Sequence, residues 1–457
     1  MKIIVVGCGK IGTTIVGTLN QEGHDVTAID ISESVLQNIS DLYDVQTLVG
    51  NGADYDTLIE AGVEDCRLFL AVTPSDETNI LCCFLARRMG AHHTVARTES
   101  MDTNGRELQF IKQQMNISMF LNPSQLVAAE FLNMLNLPTG VRADYFARRS
   151  FEMIEFKLRD EWELDGLTLI EMRKRYKGKY LVVAVGRGEE AYVPDGFFRL
   201  RSGDRITLNA SPAEATRLLS ELGYREISSH NVMILGGSKT AQHLSNMLLD
   251  IGSNVKIIEE NRERCRQLCE LVPDAAIICG DGARGELLNE EGLGSMDAFV
   301  ALTGMDEENI LMAIYAGSQN VNKTLAKVDR SEFADLAAKL GLDGQVEPKR
   351  LVSDLVVRYA RAIENAVGNN VETLYKLMNG KVEALEFNVR SGFKQNGVAL
   401  RNLNGTLKSN ILIGGIVRGN ERIIPGPNDS MKVGDRVIVV SSGHTLYDLS
   451  DIFIKER

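Results

Sequence analysis

The chain repeats itself, and this duplication restricts its fold more than any other feature of the sequence. Five short motifs of the first half return in the second half at an offset of 229 or 230 residues. The pairs are GCGKIG (7–12) with GGSKTA (236–241), DVTAID (25–30) with NVKIIE (254–259), GNGAD (50–54) with GDGAR (280–284), LAVTPSDETNIL (70–81) with VALTGMDEENIL (300–311), and TVAR (94–97) with TLAK (324–327). Because the offset hardly changes over five motifs, the two halves are predicted to share one structural unit that is used twice.

A second unit is also repeated, between the two copies and after the second one. Its paired stretches are GLTLIEM (166–172) with GVALRNL (397–403), LVVAVGRGEEAYVPDG (181–196) with ILIGGIVRGNERIIPG (411–426), and SGDRITLNAS (202–211) with VGDRVIVVSS (433–442). The order of units is therefore A–B–A′–B′. A chain of 457 residues is long enough for several hydrophobic cores. We predict domains at residues 1–145, 146–228, 229–374 and 375–457.

Unit A alternates short apolar runs with helical patterns. Strands are predicted at 2–6, 25–30, 67–73 and 94–97, and helices at 11–22, 54–61 and 76–89. That alternation is typical of a parallel sheet covered by helices on both faces. Unit B is predicted as a small α+β domain, with one helix after Gly166 and strands near 152–158, 181–185, 190–193 and 205–209. The fold class is thus α/β, with two tandem Rossmann-like doubly wound parallel sheets, each followed by a small α+β domain.

The motif GCGKIG has the pattern of a dinucleotide-binding turn. Gly7 would permit the tight turn out of the first strand, Gly9 would let the backbone approach a pyrophosphate, and Gly12 would let the next helix pack closely. The helix that begins here offers free N–H groups and the positive end of its dipole to phosphate. Asp30 ends the second strand, where its carboxylate would accept hydrogen bonds from the ribose hydroxyls. An acid there disfavours a 2′-phosphate, so NAD(H) or an adenine nucleotide is expected rather than NADP.

The second copy of the motif, GGSKTA, has lost part of this pattern. Gly236 retains the turn and Glu259 retains the carboxylate. Ser238 replaces the second glycine and would place a side chain near the phosphate position, whereas Ala241 is an acceptable third small residue. The second copy is therefore predicted to hold an adenosine or a smaller nucleotide, or to be empty.

Other polar residues are predicted to lie near a bound phosphate. Thr73 is at the carboxyl end of its strand, the edge at which open sheets bind ligands. Arg97 and Lys327 end the next strand of each copy and would pair with phosphate. Lys10, beside Ile11 in the first motif, would reach a terminal phosphate of its own subunit or of a neighbouring one. The alternative for each of these cations is a solvated surface charge.

The composition argues against several classes of protein. A net charge of −12 disfavours nucleic-acid binding, which depends on Lys and Arg to neutralise phosphates. No uncharged stretch approaches the roughly 20 apolar residues of a membrane span. Because the chain starts almost directly with a predicted strand, no signal peptide is expected, and a cytoplasmic location is predicted.

The cysteines and two aspartates are predicted to have structural roles. An odd count of seven cysteines without regular spacing does not indicate a disulfide framework. Cys265 and Cys269 have a spacing that a metal site could use, but no second pair accompanies them, so they are expected to be buried core thiols. Asp204 and Asp435 each follow a glycine just before a strand, which indicates turn residues.

Unit B lacks the residues that a dehydrogenase would need beside its cofactor. It contains no histidine and no Ser-x-x-x-Lys or Tyr-x-x-x-Lys pair to exchange a proton with a substrate. No nucleophile elbow, Walker A loop or metal cluster is present elsewhere. Two nucleotide-type folds with small accessory domains suit a protein whose conformation reports a bound ligand.

The chain resembles the cytoplasmic subunit of Trk-type potassium uptake systems, the TrkA family, which is built from two regulator-of-potassium-conductance (RCK) modules. The resemblance covers essentially the whole chain and rests on GCGKIG with Asp30, GNGAD with Asp54, AVTPSDETN at 71–79 and the GDR turns of both B units. It implies a protein without enzymatic activity that gates a membrane potassium transporter. The implied ligand is NAD(H), with ATP, ADP or AMP as alternatives.

The resemblance also assigns site residues and partners. The first site would be lined by Gly7, Gly9, Gly12, Asp30, Asn51, Thr73 and Arg97, and the second by Gly236, Glu259, Asp281, Thr303 and Lys327. The family often has an acid at the position of Asn51 and Asp281, so only the second copy follows that pattern. The implied partners are a TrkH- or TrkG-type transporter subunit and further copies of this chain, in a dimer to tetramer ring. The protein would lie on the inner face of the cell membrane, and no nucleic acid is expected.

Three other functions stay open at this stage. The first is an NAD-dependent oxidoreductase whose catalytic site has no familiar motif. The second is a redox-sensing transcription regulator, although the acidic composition and the lack of a basic helix-turn-helix pattern count against it. The third is a nucleotide-sensing regulator of another transporter, such as an antiporter, because function depends on sites and partners rather than on the fold.

Overall fold

The computed structural model describes residues 1–454 apart from 100–104, 139–140, 147–150, 225–228, 341, 343, 367–370, 404 and 420. Over these residues the chain forms four sheets. Within the described ranges, no helix combines the length and the hydrophobicity of a membrane span.

The first sheet is parallel and has the strand order β3-β2-β1-β4-β5-β6. Its strands are β1 (Lys2–Val6), β2 (Asp25–Asp30), β3 (Gln46–Val49), β4 (Leu68–Ala71), β5 (His93–Arg97) and β6 (Met119–Leu121). The helices between and after them are α1 (Lys10–Gln21), α2 (Glu33–Leu42), α3 (Tyr55–Glu60), α4 (Asp76–Arg88), α5 (Arg106–Met115) and α6 (Pro123–Leu135). The order reverses between β1 and β4, which is where open α/β sheets bind ligands.

The predicted doubly wound fold is confirmed, and the predicted strands and helices are present within a few residues. The pattern does not predict α2 and β3, because few of their residues are buried. Helix α2 buries only Leu36 and Ile39, and edge strand β3 has no fully buried residue. Their hydrophobic periodicity is correspondingly weak.

The next sheet is antiparallel, with the order β10-β9-β11-β8-β7. Its strands are β7 (Val141–Phe146), β8 (Phe151–Lys157), β9 (Tyr180–Arg187), β10 (Glu190–Tyr192) and β11 (Arg205–Ala210), and its helices are α7 (Leu169–Arg175) and α8 (Pro212–Glu221). Asp204 is buried at the turn into β11 and accepts two hydrogen bonds from Arg187, at 2.8 and 2.7 Å, and one from the backbone N–H of Arg201 at 2.8 Å. This aspartate therefore holds the turn, as its sequence context indicates.

The second Rossmann-like sheet repeats the first, in the order β14-β13-β12-β15-β16-β17. Its strands are β12 (Asn231–Leu235), β13 (Asn254–Glu259), β14 (Ala276–Cys279), β15 (Ala298–Ala301), β16 (Lys323–Lys327) and β17 (Gly344–Val346). Its helices are α9 (Lys239–Asp250), α10 (Arg262–Leu271), α11 (Gly285–Glu290), α12 (Asp306–Ser318), α13 (Ser331–Lys339) and α14 (Pro348–Ala366).

The last sheet has the topology of the second one, in the order β18-β19-β22-β20-β21. Its strands are β18 (Val371–Leu377), β19 (Val382–Asn388), β20 (Ile411–Arg418), β21 (Glu421–Ile423) and β22 (Arg436–Ser441). Asp435 repeats the role of Asp204, since it accepts two hydrogen bonds from Arg418, at 2.9 and 2.7 Å. After β22 the described chain forms only a short 3₁₀ turn, Leu449–Ile452, where α8 follows β11 in the first small domain.

The described residues pack into two compact units. One contains Met1–Leu135 with Ser228–Ala360, and the other contains Asn136–Ile227 with Arg361–Arg457. The two Rossmann-like domains thus form one unit, and the two small domains form the other. The limits of the four predicted domains stay a prediction.

Within the unit of Rossmann-like domains, each copy receives a helix of the other. Phe131 and Leu135 of α6 lie in the core of the second copy, with Leu244 and Leu248 of α9. Helix α14 of the second copy contacts the first copy in turn. The hydroxyl groups of Ser353 and Thr18 share a hydrogen bond of 2.7 Å. Helix α6 thus completes the hydrophobic core of the second copy, and α14 adds a polar contact with the first copy.

Candidate functional site

The first glycine turn lies at the reversal point of the first sheet. Gly7 has a φ of +89°, and a Cβ there would lie 2.7 Å from the backbone nitrogen of Thr73. Glycine is therefore required both by the left-handed backbone and by the close approach of the two strand ends. The structure thus brings Gly7 and Thr73 together, as predicted.

Helix α1 begins directly after this turn with its amide groups open. Gly9 is the N-cap residue, and no side chain of the described residues accepts a hydrogen bond there. A Cβ at Gly9 would meet no described atom within 4 Å, whereas a Cβ at Gly12 would lie 1.9 Å from the carbonyl oxygen of Gly7. Gly9 therefore leaves space beside the helix, and Gly12 allows close packing. Lys10 and Ile11 form the first turn of α1, and Lys10 is exposed.

Asp30 is fixed beneath the glycine turn. Its Oδ2 accepts the backbone N–H of Cys8 at 2.6 Å, and its Oδ1 accepts that of Ser32 at 2.9 Å. Each carboxylate oxygen can accept further hydrogen bonds. The carboxylate is therefore held in one orientation at the end of β2, next to the open N-terminus of α1.

The second copy reproduces this arrangement with a longer acid. Glu259 Oε2 accepts the N–H of Gly237 at 2.6 Å, and its Oε1 accepts that of Asn261 at 2.7 Å. Gly236 has a φ of +92°, and a Cβ there would lie 3.0 Å from the backbone nitrogen of Thr303. The turn and the carboxylate of both copies are thus equivalent in position.

The helix N-termini of the two copies differ. Ser238 is the N-cap residue of α9, and its hydroxyl oxygen accepts the N–H of Ala241 at 3.2 Å. One amide that is open in α1 is therefore already occupied in α9. The serine hydroxyl thus competes with a ligand for the N–H of Ala241. Its side chain also takes up space beside the helix that Gly9 leaves free in the first copy.

The second copy contains a cavity of about 720 Å³. Five predicted residues contribute to its lining, namely Gly236, Ser238, Glu259, Asp281 and Thr303. Lys327 lies outside this lining, and its ammonium group is 3.8 Å from a carboxylate oxygen of Asp329. A cavity of this size can accommodate a nucleotide-sized ligand.

Arg264 is a cavity residue that the sequence patterns do not identify. Its Nε donates to the carbonyl oxygen of Gly237 at 2.6 Å, and its Nη2 donates to Gln242 at 3.2 Å. The equivalent residue of the first copy is Val35, at the same position of helix α2. The guanidinium group thus gives the second cavity a fixed positive charge on its glycine turn.

The threonines of both copies are held by buried asparagines. Asn79 Oδ1 accepts the N–H of Thr73 at 2.8 Å, and its Nδ2 donates to the carbonyl oxygens of Thr73 and Arg97, both at 3.0 Å. Asn309 makes the same contacts with Thr303 and Lys327. Each asparagine thus joins the ends of two neighbouring strands, and this role was signalled only by the recurrence of the motif.

Aspartates at the start of α4 and α12 complete these connections. Asp76 accepts the N–H of Glu99 at 2.8 Å, and Asp306 accepts that of Asp329 at 2.9 Å. Both aspartates are buried at the first position of their helices. The repeated DETN and DEEN sequences therefore serve to position the carboxyl edge of each sheet.

Three further predicted residues, Arg97, Asn51 and Asp281, have local partners in the structure. Arg97 pairs with Glu99 at 2.8 Å, while its buried Nε has no partner among the described residues. Asn51 and Asp281 each use a side-chain oxygen to accept the N–H two residues later, both at 3.0 Å. These contacts hold the loops after β3 and β14 in the same turn.

The described residues contain no cluster of three or more His, Cys, Asp or Glu side chains that could hold a metal ion. Cys265 is buried, as expected, but Cys269 is exposed. The expectation of a core thiol is therefore wrong for Cys269, because Leu268 rather than Cys269 occupies the inward position of that helical turn.

Two family matches cover most of the chain. The TrkA-N domain matches residues 3–116 and again 232–348, and the TrkA-C domain matches residues 153–223. A Trk system potassium uptake protein TrkA homolog from Archaeoglobus fulgidus is 29% identical over 456 residues, which cover 99% of this chain and 100% of that protein. The Trk system potassium uptake protein TrkA of Vibrio alginolyticus is 27% identical over 464 residues, with coverage of 99% and 100%.

Solved structures of similar fold include two of GsuK. A structure titled GsuK Channel gives a TM-score of 0.64 over 97% of this chain and 77% of that chain, at 14% identity. A structure of the GsuK RCK domain gives 0.61 over 97% and 92%, also at 14% identity. Similarity at this level of identity concerns the fold alone.

Proposed function

This chain belongs to the TrkA family, and we propose that it is the nucleotide-binding regulatory subunit of a Trk-type potassium uptake system. In this proposal it binds NAD(H), or ATP, ADP or AMP, and catalyses no reaction. It gates a TrkH- or TrkG-type transporter subunit from the inner face of the membrane. Support comes from the relatives named Trk system potassium uptake protein, which this chain matches over their whole length.

One observation carries the nucleotide part of the proposal. The N-terminus of α1 has no side-chain cap among the described residues, and the carboxylate of Asp30 is held next to it by the N–H of Cys8 at 2.6 Å. Free amides and a helix dipole favour phosphate, and an oriented carboxylate favours ribose hydroxyls. Together they provide partners for the phosphate and the ribose of a nucleotide.

We assign two sites to the proposed ligands. The first comprises Gly7, Gly9, Lys10, Ile11, Gly12, Asp30, Asn51, Thr73 and Arg97, and the second comprises Gly236, Ser238, Glu259, Asp281, Thr303 and Lys327. NAD(H) is assigned to the first site, where the helix N-terminus is open. The second site, with its serine cap and its arginine, is assigned a smaller adenine nucleotide.

The proposed mechanism is a shift between two conformations of an oligomer. A nucleotide that binds two conformations with unequal affinity changes their populations, and rigid-body movement then acts on the transporter. Further copies of this chain would form the dimer to tetramer ring. Exposed apolar side chains on α4, α5 and α12 support such contacts, since Leu81, Phe110 and Leu311 are 48%, 63% and 63% exposed.

Calorimetric titration of the full chain with NADH, ATP and ADP tests the first step. We expect Asp30→Asn to weaken binding at the first site about tenfold or more, because the ribose hydroxyls lose a charged acceptor. Asp56→Asn is the matched control, since Asp56 is an exposed aspartate on α3. Loss of binding in both variants, or in neither, would contradict the assignment of Asp30.

The second step is potassium flux with the chain bound to a candidate transporter. NADH, ATP and ADP should change the flux unequally, and Asp30→Asn should reduce the response to the nucleotide of the first site. A flux that no nucleotide alters would rule out the gating proposal even if binding is observed.

A further inference from the structure

Two cysteines contact the backbone at Glu259 and Glu260, where the acid of the second cavity is located. Cys265 is on α10, and its Sγ donates to the carbonyl oxygen of Glu259 at 3.3 Å. Cys279 ends β14, is the cross-strand neighbour of Glu259, and has its Sγ 4.0 Å from the carbonyl oxygen of Glu260. Both thiols therefore contact the same short piece of backbone.

The two thiols are also partners of each other. Burial raises the pKa of Cys265 to about 11, and a hydrogen bond with the Cys279 thiol adds to this increase. Cys279 is exposed, whereas Cys265 is buried. One thiol can thus be reached by a dissolved oxidant, and the other lies within hydrogen-bonding contact behind it.

The first copy has no thiols at these positions. Leu36 stands where α10 has Cys265, and Val49 stands opposite Asp30 as Cys279 stands opposite Glu259. The fold therefore does not need cysteine at either position. Of the two copies, only the second has the cysteine pair at these positions.

We propose that Cys265 and Cys279 form a reversible disulfide when the protein meets a peroxide, and that this bond lowers the affinity of the second cavity for its nucleotide. The coupling to affinity rests on the proposed function. The formation of the disulfide depends only on the two thiols.

The reaction is balanced with hydrogen peroxide as the oxidant. The Cys279 sulfur attacks one peroxide oxygen, the O–O bond breaks, and sulfenic acid and one water form. The Cys265 sulfur then attacks the Cys279 sulfur, and the hydroxyl group leaves with the Cys265 proton as a second water. The two thiols lose two electrons in total, and the peroxide gains them.

The disulfide acts on the cavity through Glu259. Once Cys265 has lost its proton, the carbonyl oxygen of Glu259 loses its thiol donor, and the new bond ties α10 to the end of β14. Helix α10 carries Arg264, and its N-cap residue Asn261 donates its backbone N–H to the Glu259 carboxylate. A shift of this helix therefore moves two groups of the cavity, and we expect a loss of about three- to tenfold in affinity.

The test uses the full chain with Asp30→Asn, which weakens the first site, so that a change in affinity between the reduced and the oxidised protein is assigned to the second cavity. Protein is reduced with dithiothreitol or treated with hydrogen peroxide, disulfides are mapped by mass spectrometry, and ADP and NADH are titrated calorimetrically. We expect a Cys265–Cys279 disulfide, a three- to tenfold weaker titration, and recovery of both on reduction.

The matched controls replace each cysteine by the residue found at the equivalent position of the first copy. Cys279→Val and, separately, Cys265→Leu should bind nucleotide in either redox state without loss, while Cys269→Ser should keep the response to peroxide. Cys279→Val changes an exposed side chain, so it keeps the test valid if Cys265→Leu disturbs the core.

Three results would overturn the inference: free thiols after peroxide treatment, a disulfide that uses Cys269 instead, or an unchanged affinity in the oxidised protein. If the reduced protein binds no nucleotide in the second cavity, the proposed function of that cavity fails. The disulfide is then judged by mass spectrometry alone.

Discussion

The N-cap residue, Gly9 in the first copy and Ser238 in the second, is a key difference between the two proposed nucleotide sites. Gly9 has φ −66° and ψ −168°, and Ser238 has φ −63° and ψ 169°, so both have the same extended backbone. Either residue is compatible with either position, since a Cβ at Gly9 meets no described atom within 4 Å. The difference between the sites at this point is therefore chemical, because the serine hydroxyl occupies an amide that the glycine leaves open.

Exchange of these two residues is expected to shift affinity in opposite directions. Gly9→Ser should weaken nucleotide binding at the first site about threefold or more, because the new hydroxyl caps α1. Ser238→Gly should strengthen binding at the second site, at a cost of only a few tenths of a kcal/mol in helix stability. Calorimetric titration of each variant measures both effects, and a change of the same sign in both would contradict this role of the N-cap.

At the scale of elements, helix α4 is tied to the ends of two strands. Asp76 holds the loop after β5 through Glu99, and Asn79 joins the ends of β4 and β5 through Thr73 and Arg97. The same contacts recur in the second copy between α12, β15 and β16. The carboxyl edge of each sheet is thus a preformed platform rather than a set of independent loops.

Asn79→Ala should lower the free energy of unfolding by about 3 kcal/mol. Asn79 is fully buried, and its removal leaves the N–H of Thr73 and the carbonyl oxygen of Arg97 without their partner. Urea denaturation measures the change, with Asn38→Ala on the exposed face of α2 as the control. Equal stability of the two variants would show that the asparagine does not support the strand ends.

At the scale of the whole molecule, a buried lysine joins the two Rossmann-like domains. Lys323 begins β16 of the second copy, and its Nζ donates to the carbonyl oxygen of Leu135 at the end of α6 of the first. Burial lowers the pKa of Lys323 to about 8, from an ordinary value of 10.5. The lysine thus lies where α6 packs on the second copy. Because burial there lowers its pKa, the pH dependence of stability is a measure of that packing.

Lys323→Met should change how stability depends on pH. Below pH 8 the lysine is protonated in both the folded and the unfolded chain. Between pH 8 and 10.5 only the unfolded chain keeps this proton. The free energy of unfolding of the wild type therefore increases as the pH rises through this range. Relative to Lys323→Met, the free energy of unfolding increases by at most about 3 kcal/mol once the pH exceeds 10.5. Chemical denaturation of both proteins from below pH 8 to above pH 10.5 measures this increase. Parallel curves for the two proteins would contradict the lowered pKa.

The sequence predicts features that depend on short stretches of chain. The tandem repeat, the α/β class, the glycine turns and the acids at the ends of β2 and β13 follow from local patterns. Sequence patterns do not predict the contacts of Asn79, Arg264 and Cys265, because their partners lie in other elements. The recurrence of Asn79 as Asn309 was the only local signal for the first of them.

By itself the sequence determined that one Rossmann-like unit occurs twice and that its first copy keeps the three glycines of GCGKIG. Hydrophobic periodicity and the conformational freedom of glycine act over a few residues, so they can be recognised without a structure. Only the tertiary structure decided that the copies exchange helices α6 and α14, that Ser238 caps α9, and that two thiols meet behind Glu259. Those features depend on packing between distant parts of the chain, which a local pattern does not encode.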